Sequence, residues 1–598
     1  MKKSFLFFAL AVLLSFSLSG EGNTKKSKLP YQLYATQAAE QITASLSLEQ
    51  KAAQMVQPAC YHVTRSQMQK NCYGSILSQL TQNDFRQWQE YVDAFQNAAI
   101  TSESGIPFIY GQDDVHGVNY CLNSVIFPHN IGLGAANDEA LMYEIGRITA
   151  EEAKLCHMLW NFSPCVAQSQ DQRWGRTYES YGSDLDIIKR LSTSYIKGMK
   201  DNGLIACSKH FLADGNVTYG TGEKSDAVRL IDRGDARLSD AKINELLSVY
   251  QAQIDAGVQT IMISHSSLNG IKMHENKKYI DILKNQMGFN GFIVSDWDSV
   301  KNTSGQTYYD QVVTSINSGI DMLMEVGTYN QAMNIIIDAV KKGHIPEARV
   351  NDAVRRIIQV KLDAGIFEDP LCTNLQTKVN TTGSDEYRAV AEKAVEESLV
   401  LIKNKNSILP LKKGTSVYIM GPAANNGRAQ CGGWTIGWNE SPFFDIPGVT
   451  TIKEGFEKRA AEFGINIIND ENKAKEADVI LLVVGEKAYA EWNGDTISID
   501  LTGPKGLDGN SKFIKKAKAF KKPVVTLIVA GRNVFIKDYI SNWDAAVMCY
   551  LPGSEGQGVA NVICGKSPFK GKLPAPWYDS IDNMEKGKAW LPQGYGME

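Results

Sequence analysis

The chain has 598 residues, of which 43% are hydrophobic and 21% are charged, and its formal net charge is −4 at pH 7. This ordinary globular composition excludes a disordered, collagenous or coiled-coil protein. A small negative charge without a long basic run gives no electrostatic basis for binding nucleic acid. A chain of this length is expected to form about two to four domains.

The first 20 residues differ from the rest of the chain. Lys2 and Lys3 precede an apolar run at residues 5–18, and small residues follow it. This pattern is typical of a secretory signal peptide, so we predict export to the periplasm or the extracellular space. The alternative is a buried N-terminal helix. The run is too short for a transmembrane span, and no other stretch approaches about 18 apolar residues, so we expect no membrane span in the mature protein.

Ten cysteines are too few for a disulfide scaffold in a chain of this size. Cys60 and Cys72 are close in sequence, as are Cys156 and Cys165, but their pairing stays open. Neither a CxxC pair nor an HExxH motif occurs in the sequence. We therefore predict no metal site and no cofactor.

Short apolar runs alternate with amphipathic stretches over residues 30–367. Helical patterns such as residues 138–155 and 240–256 separate the runs. The candidate strands lie at residues 106–113, 158–165, 204–211, 258–265, 291–297 and 320–325. This alternation predicts a parallel sheet covered on both faces. Six runs, with two more strands expected, favour a (β/α)8 TIM-like barrel.

Polar side chains stand at the ends of these candidate strands. They are Asp113, Lys209, His210, His265 and Asp296. In a barrel of this kind the carboxyl ends of the strands line one mouth, where reacting groups gather. The alternative is that they are helix caps or surface charges.

Residues 368–385 have the composition of a linker, and a helical run follows them at residues 385–399. Strands are then predicted again, at residues 399–403, 416–420, 479–485, 524–530 and 546–551. Residues 386–598 are therefore expected to form a second α/β unit with an open, doubly wound sheet.

The segment at residues 291–297 places Asp296 and Trp297 at a strand end. A nucleophilic carboxylate must be ionised and held by a rigid element. The adjacent indole offers a flat apolar face that suits a sugar ring. The alternative is that Asp296 caps the next helix.

Three further segments of the first unit carry polar groups suited to sugar hydroxyls. Lys209 and His210 can donate hydrogen bonds, and a nearby cation keeps a carboxylate ionised. Asp113, in a glycine-bounded loop with Asp114, can accept from two neighbouring hydroxyls. Arg176 could orient hydroxyls or form a structural ion pair. A surface Lys-His pair and a metal site at Asp113 are the alternatives, although the spacing matches no standard cation loop.

The second unit contributes two more candidate segments. Residues 485–492 leave a strand and carry Glu486 and Glu491, with a solvated acidic loop as the alternative interpretation. Residues 432–438 hold Trp434 and Trp438 in a glycine-rich loop, where we expect both indoles to be exposed.

Taken in this order along the chain, these segments resemble glycoside hydrolase family 3. The resemblance is closest to its β-D-glucan glucohydrolase and β-glucosidase branch, and it runs from about residue 45 to about residue 596. Further segments at residues 127–134, 551–558 and 594–596 support it. The resemblance implies a barrel followed by an α/β sandwich with a mostly parallel sheet, with the active site at their junction.

The resemblance also implies a retaining double displacement. By motif position Asp296 is the nucleophile, and Glu491, supplied by the second unit, is the general acid/base, with Glu486 as its rival. Asp113, Arg176, Lys209 and His210 are implied to hold the hydroxyls of the terminal sugar. Trp297 and Trp438 are implied to sandwich the next sugar, with Trp434 nearby. His265, a further candidate for substrate binding, stands where relatives usually carry an aromatic residue such as Tyr.

We therefore expect exo-acting release of terminal, non-reducing β-D-glucose from β-glucans or cello-oligosaccharides by a monomer or homodimer. A β-xylosidase of the same family is an alternative. A non-catalytic secreted carbohydrate-binding protein and a phosphorylase are alternatives from other classes.

Overall fold

The computed structural model describes residues 29–78, 83–222, 230–375 and 377–598. The predicted signal peptide at residues 1–20 lies outside the described residues. Over the described ranges no helix is both long enough and apolar enough to cross a bilayer.

The N-terminal part alternates strands and helices. Its strands are β1 (Ser75–Leu77), β2 (Ile109–Gln112), β3 (Trp160–Asn161), β4 (Ile205–Phe211), β5 (Asp235–Ala236), β6 (Thr260–Ile263), β7 (Ser267–Leu268), β8 (Ile271–Lys272) and β9 (Phe292–Val294). Its α-helices are Pro30–Tyr34, Ala39–Ser45, Leu48–Gln54, Arg65–Asn71, Phe85–Ile100, Asn130–Ala136, Glu139–Leu155, Leu185–Asp201, Asp240–Asp255, Lys277–Asp281, Tyr308–Ser318, Tyr329–Lys341 and Glu347–Asp363.

Six of these strands form one parallel sheet in the order β1-β2-β3-β4-β6-β9. β5, β7 and β8 form a small separate sheet. All residues of β4 and β6 are buried, which is the expected pattern for parallel strands covered on both faces. This confirms the predicted parallel sheet.

Side chains that accept hydrogen bonds from free backbone N–H groups determine where some of the helices begin. Asp184 begins the helix Leu185–Asp201, because its carboxylate accepts hydrogen bonds from the backbone N–H groups of Asp186 and Ile187. This helix packs against Glu139–Leu155, and the apolar faces of both helices are buried. The helical pattern predicted at residues 138–155 is therefore confirmed.

The strand predicted at residues 320–325 is reduced to two bridged residues, Met322 and Leu323. There, Met322 pairs with Val294 and Leu323 pairs with Val56 through single parallel bridges, and no continuous ladder forms. A further bridge joins Ala59 to Leu77 of β1. The run predicted at residues 158–165 is reduced to the two-residue strand β3.

The C-terminal part forms a second sheet. Its strands are β10 (Val400–Asn404), β11 (Ser416–Met420), β12 (Asn466–Ile468), β13 (Val479–Gly485), β14 (Val524–Val529) and β15 (Ala545–Tyr550). The order is β10-β15-β14-β13-β11-β12, with β10 antiparallel and the remaining pairs parallel. Its α-helices are Asp385–Ser398, Gly427–Cys431, Ile452–Phe463, Asn510–Ala519, Lys537–Ile540, Gln557–Ile563 and Ile581–Glu585. The described residues thus form an α/β protein with two six-stranded sheets, the second of them mostly parallel, and one small three-stranded sheet.

Candidate active site

The carboxyl ends of three strands of the first sheet position the first group of polar side chains. Asp113 follows β2, Lys209 and His210 lie near the end of β4, and Asp296 comes two residues after β9. Because these strands run parallel in one sheet, their ends meet on the same side. All four side chains line one cavity of about 720 Å³.

Both regions of the chain contribute to this cavity. Nine of the ten predicted site residues line it, namely Asp113, Arg176, Lys209, His210, Asp296, Trp297, Trp434, Trp438 and Glu491. Its wall also includes Tyr61, Ser78, Gln112, Tyr120, Arg233, Met262, Met324 and Trp492. The predicted neighbourhood of Asp296 and Glu491 is therefore present in the structure.

Asp296 is 7% exposed and contacts polar groups through both carboxylate oxygens. Its Oδ1 accepts a hydrogen bond from the backbone N–H of Trp297 at 2.7 Å. Its Oδ2 lies 3.2 Å from Nε2 of His265 and 3.6 Å from Nε2 of His210. Burial by itself raises the pKa of Asp296, but His265, His210 and Arg176 outweigh burial and hold that pKa well below its usual value. The carboxyl group is therefore ionised, as a nucleophile requires.

A chain of close polar contacts joins His265 to His274 through Ser299. The backbone N–H of Asp296 donates to Nε2 of His274 at 3.0 Å, so His274 is neutral and carries its proton on Nδ1. Burial lowers the pKa of His274 to about 3, which agrees with a neutral ring. Nδ1 of His274 lies 3.3 Å from Oγ of Ser299, and that hydroxyl lies 2.9 Å from Nδ1 of His265. A hydroxyl that accepts from His274 can donate to Nδ1 of His265 or accept from it, and in the first arrangement the His265 proton sits on Nε2 and faces Asp296.

His265 is not among the residues that line the cavity. It lies behind Asp296 and contacts the carboxylate. Its predicted role in contacting substrate is therefore corrected to a contact with Asp296. Burial lowers the pKa of His265, despite the opposing attraction of Asp296.

Glu491 begins the 3₁₀ turn Glu491–Gly494, which follows β13. Its Oε1 lies 3.3 Å from Nη1 of Arg176, and its Oε2 lies 2.9 Å from Nη2 of Arg233. The rival carboxylate, Glu486, is 2% exposed and is not part of the cavity wall. Glu486 pairs with Arg532 at 3.1 Å, so it belongs to a buried ion pair.

Lys209 and Asp113 face the cavity as an ion pair, with Nζ and Oδ1 2.7 Å apart. Burial lowers the pKa of Lys209, but Asp113 and Glu179 outweigh it and raise that pKa above its usual value. Glu179 also accepts two hydrogen bonds from Arg176, both at 2.9 Å. The pair offers a donor and an acceptor to neighbouring hydroxyl groups.

The indole side chains have different exposures. Trp434 is 7% exposed and donates its Nε1–H to Glu179 at 3.1 Å, so the expectation that it is exposed is wrong. Trp297 and Trp438 are half-buried, with part of each ring left available to a ligand. Trp492 packs 5.1 Å from Trp438, measured between ring centroids.

Sequence analysis did not select Arg233, Glu179, His274 or Trp492 as site residues. Trp492 ends the selected segment 485–492, and Glu179 comes three residues after Arg176, so both could have been found by considering every polar or aromatic residue of those segments. Arg233 and His274 carry no local motif, and their contacts with Glu491 and Asp296 arise from folding.

Among the described residues, no group of three or more His, Cys, Asp or Glu side chains is arranged to hold a metal ion. The cavity instead combines two carboxylates with hydroxyl-binding cations and aromatic faces. These features define the class of glycoside hydrolases, in which a pair of Asp or Glu residues flanks the scissile bond.

Comparison with known proteins agrees with this class. Residues 47–360 match the glycosyl hydrolase family 3 N-terminal domain, and residues 399–597 match the family's C-terminal domain. The chain belongs to glycosyl hydrolase family 3.

Several relatives cover most of the chain. A lysosomal beta glucosidase from Dictyostelium discoideum is 28% identical over 531 residues, covering 81% of this chain and 63% of the relative. A periplasmic beta-glucosidase from Salmonella typhimurium is 27% identical, covering 86% and 69%. The crystal structure of an exo-1,3/1,4-beta-glucanase from a Pseudoalteromonas species superimposes with a TM-score of 0.86 at 33% identity, covering 95% and 74%. The chain thus spans less than two thirds of the Dictyostelium relative's length.

Proposed function

We propose that the protein is a retaining, exo-acting β-glucosidase that releases terminal, non-reducing β-D-glucose from β-glucans or cello-oligosaccharides. The observation that carries this proposal is the placement of Asp296 and Glu491 on the wall of one cavity. Each carboxylate comes from a different part of the chain, and their environments differ.

In the first step the ionised Asp296 attacks the anomeric carbon and forms a glycosyl ester. Glu491 donates a proton to the glycosidic oxygen, so the aglycone leaves as a neutral alcohol. Glu491 contacts Arg176 and Arg233 in the resting protein. To act as the acid, Glu491 must be protonated and must turn from these guanidinium groups, which pair with its carboxylate form, towards the substrate oxygen.

In the second step Glu491, now ionised, removes a proton from water, and the resulting nucleophile attacks the anomeric carbon. The ester bond to Asp296 breaks, Asp296 regains its charge, and glucose leaves with retained configuration. Arg176 and Arg233 stabilise the carboxylate form of Glu491 between the two steps.

Recognition of glucose is assigned to the polar groups around Asp296. Asp113 and Lys209 supply an acceptor and a donor, and Arg176 and His210 supply further donors. The half-buried faces of Trp297 and Trp438 are proposed to pack against the next sugar. A cavity of about 720 Å³ suits the end of a glycan chain, since small-molecule sites measure about 300–1,000 Å³.

The names of the relatives support a glucose-releasing activity. Two are described as beta-glucosidases and one as an exo-1,3/1,4-beta-glucanase. The test below compares cellobiose with laminaribiose, and so determines the preference between β-1,4 and β-1,3 linkages.

We also propose a barrel, a second domain with a linker before it, and export of the protein. The single bridges at Val56, Ala59, Met322 and Leu323 support a closed, (β/α)8-like barrel over residues 30–367. Residues 386–598 are proposed as a sandwich domain that supplies the acid/base, with residues 368–385 as the linker. The N-terminal pattern at residues 1–20 supports export through a signal peptide.

The test uses the purified protein with nitrophenyl β-glucoside, β-xyloside and β-N-acetylglucosaminide, and with cellobiose and laminaribiose. We expect the fastest turnover on the glucosides, and proton NMR showing β-glucose as the first product. Preference for xyloside supports the β-xylosidase alternative. Turnover only with added phosphate supports a phosphorylase, and sugar binding without turnover supports a binding protein.

A further inference from the structure

The carboxylate of Asp495 joins the C-terminal part of the chain to two loops of the N-terminal part. Its Oδ1 accepts a hydrogen bond from the backbone N–H of Gly175 at 2.8 Å. Its Oδ2 accepts from the backbone N–H groups of Ile231 and Asp232, both at 2.8 Å. Asp495 is 7% exposed. Burial raises the pKa of Asp495, and the three N–H donors act in the opposite direction.

These three donors adjoin the two arginines that contact Glu491. Gly175 immediately precedes Arg176, and Asp232 immediately precedes Arg233. One carboxylate therefore fixes the backbone directly before each guanidinium-bearing residue. A shift of either loop changes the 3.3 Å and 2.9 Å contacts that hold Glu491.

Asp495 also lies close to Glu491 along the chain. The 3₁₀ turn Glu491–Gly494 occupies the positions before it, and the backbone N–H of Asp495 donates to the carbonyl of Trp492 at 3.1 Å. A Cβ atom at Gly175 would lie only 1.9 Å from the carbonyl oxygen of Glu491. The turn and the Gly175 loop are thus packed too closely to slide past each other without cost.

We propose that Asp495 is a positioning residue that fixes the turn carrying Glu491 against the loops carrying Arg176 and Arg233. This inference rests on the proposed role of Glu491 as general acid/base. Asp495 does not line the cavity, so it acts through Glu491, Arg176 and Arg233.

The physical reason for this role is the geometric demand of proton transfer. A misplacement of about 1 Å can cost about 10²-fold in rate. A carboxylate that accepts three N–H groups has no good neutral replacement, since the amide of Asn presents N–H groups of its own to one or more of these donors. Asp495→Asn therefore disturbs alignment while conserving side-chain volume.

The test compares Asp495→Asn with Glu491→Ala and with Asp500→Asn as the matched control. Asp500 lies in the same connecting segment, and its carboxylate accepts from the nearby backbone N–H of Thr502 at 2.8 Å. Rates are measured on dinitrophenyl β-glucoside, whose leaving group needs no proton, and on phenyl β-glucoside, whose leaving group needs one.

We expect Asp495→Asn to lower kcat/KM on phenyl glucoside by about 10²-fold and to change kcat/KM on dinitrophenyl glucoside much less, because kcat/KM reports the first step, in which only the phenyl leaving group needs the proton. Asp500→Asn is expected to match the unaltered protein on both substrates. The proposal is overturned if Asp495→Asn lowers the rate equally on both substrates, or lowers it on neither. A merely structural contact would not discriminate between leaving groups.

The melting temperature of each variant shows whether it folds, and a second variant tests the same contact without changing the Asp495 carboxylate. Gly175→Ala pushes the turn from the opposite side, since its Cβ would lie 1.9 Å from the carbonyl oxygen of Glu491 and 2.7 Å from the backbone nitrogen of Asp495, and it is expected to show the same dependence on leaving group. If neither variant folds, Asp495 serves folding and the proposal is overturned. If Glu491→Ala discriminates between the substrates and Asp495→Asn does not, only the positioning role fails. If Glu491→Ala does not discriminate, the proposed function fails as well.

Discussion

Nε2 of His265 lies 3.2 Å from Oδ2 of Asp296, and both side chains are buried. Burial lowers the pKa of His265, which favours the neutral ring, and a neutral ring with its proton on Nε2 presents an N–H group to Asp296. A neutral donor has an advantage over a cation at this position. When Asp296 becomes an ester it loses its charge, and a charged neighbour would then be left buried without a partner, which is costly.

The first prediction concerns this contact. His265→Leu removes the N–H donor, and we expect kcat/KM on nitrophenyl glucoside to fall by about 10- to 100-fold, because a hydrogen bond to a charged group contributes about 1.5–3 kcal/mol. His265→Gln is the control, since its amide offers a neutral N–H of similar reach, and it should recover most of the loss. If Gln and Leu variants are equally impaired, the contact acts through ring packing and the donor role is wrong.

The second prediction concerns Asp296. Asp296→Asn removes the nucleophile but keeps its shape, so we expect kcat on nitrophenyl glucoside to fall by about 10⁴-fold or more. The melting temperature should change little, because the amide oxygen can still accept from the backbone N–H of Trp297. Residual activity above about one per cent would assign the nucleophile to another group.

The third prediction concerns the second step of the reaction. Glu491→Ala lacks the base that activates water, so the glycosyl-enzyme formed from dinitrophenyl glucoside should accumulate. Azide needs no base, and we expect added azide to restore turnover and to yield β-glucosyl azide. NMR identifies the anomer. An α-glucosyl azide, or no acceleration, contradicts the assignment of Glu491.

Continuous apolar runs allowed much of the second sheet to be predicted. β13 was predicted with the same bounds, because its run of buried aliphatic residues ends at Gly485. β12 was not predicted, since its three residues are only partly buried and offer little periodic signal. The segment around Met322 was predicted to be a longer strand than the two bridged residues of the structure. Its buried apolar residues give the same sequence pattern whether or not they pair with a neighbouring strand.

Site residues, like strands, could be predicted where they follow a local sequence pattern and could not where they do not. Asp296 and Lys209 were found because each closes an apolar strand with a charged residue. Arg233 could not be found in this way, because its contact with Glu491 spans 258 positions and follows no local pattern. Trp434 was expected to be exposed from its glycine-rich surroundings, but the buried carboxylate of Glu179 holds its indole N–H.

The fourth prediction concerns Lys361, which is completely buried in the N-terminal part. Its Nζ donates to Oε1 of Gln54 at 2.7 Å and to the carbonyl of Pro107 at 2.8 Å, both of them neutral acceptors. Burial lowers the pKa of Lys361 to about 7, against about 10.4 in an unfolded chain. Between these values the unfolded chain binds the proton that the folded protein has released, so the fold gains stability as pH rises, by at most about 1.4 kcal/mol per pH unit.

Lys361→Met removes this titration. Its stability relative to the unaltered protein should therefore be highest at and below pH 7 and should decline steadily as pH rises towards 10. The test is the difference in melting temperature between the two proteins at each pH. Loss of the two hydrogen bonds changes the difference in melting temperature by the same amount at every pH. The change of that difference with pH therefore tests the lowered pKa of Lys361. Lys341→Met, at an exposed lysine, is the control and should give a flat difference, and a flat difference for Lys361→Met as well would contradict the lowered pKa.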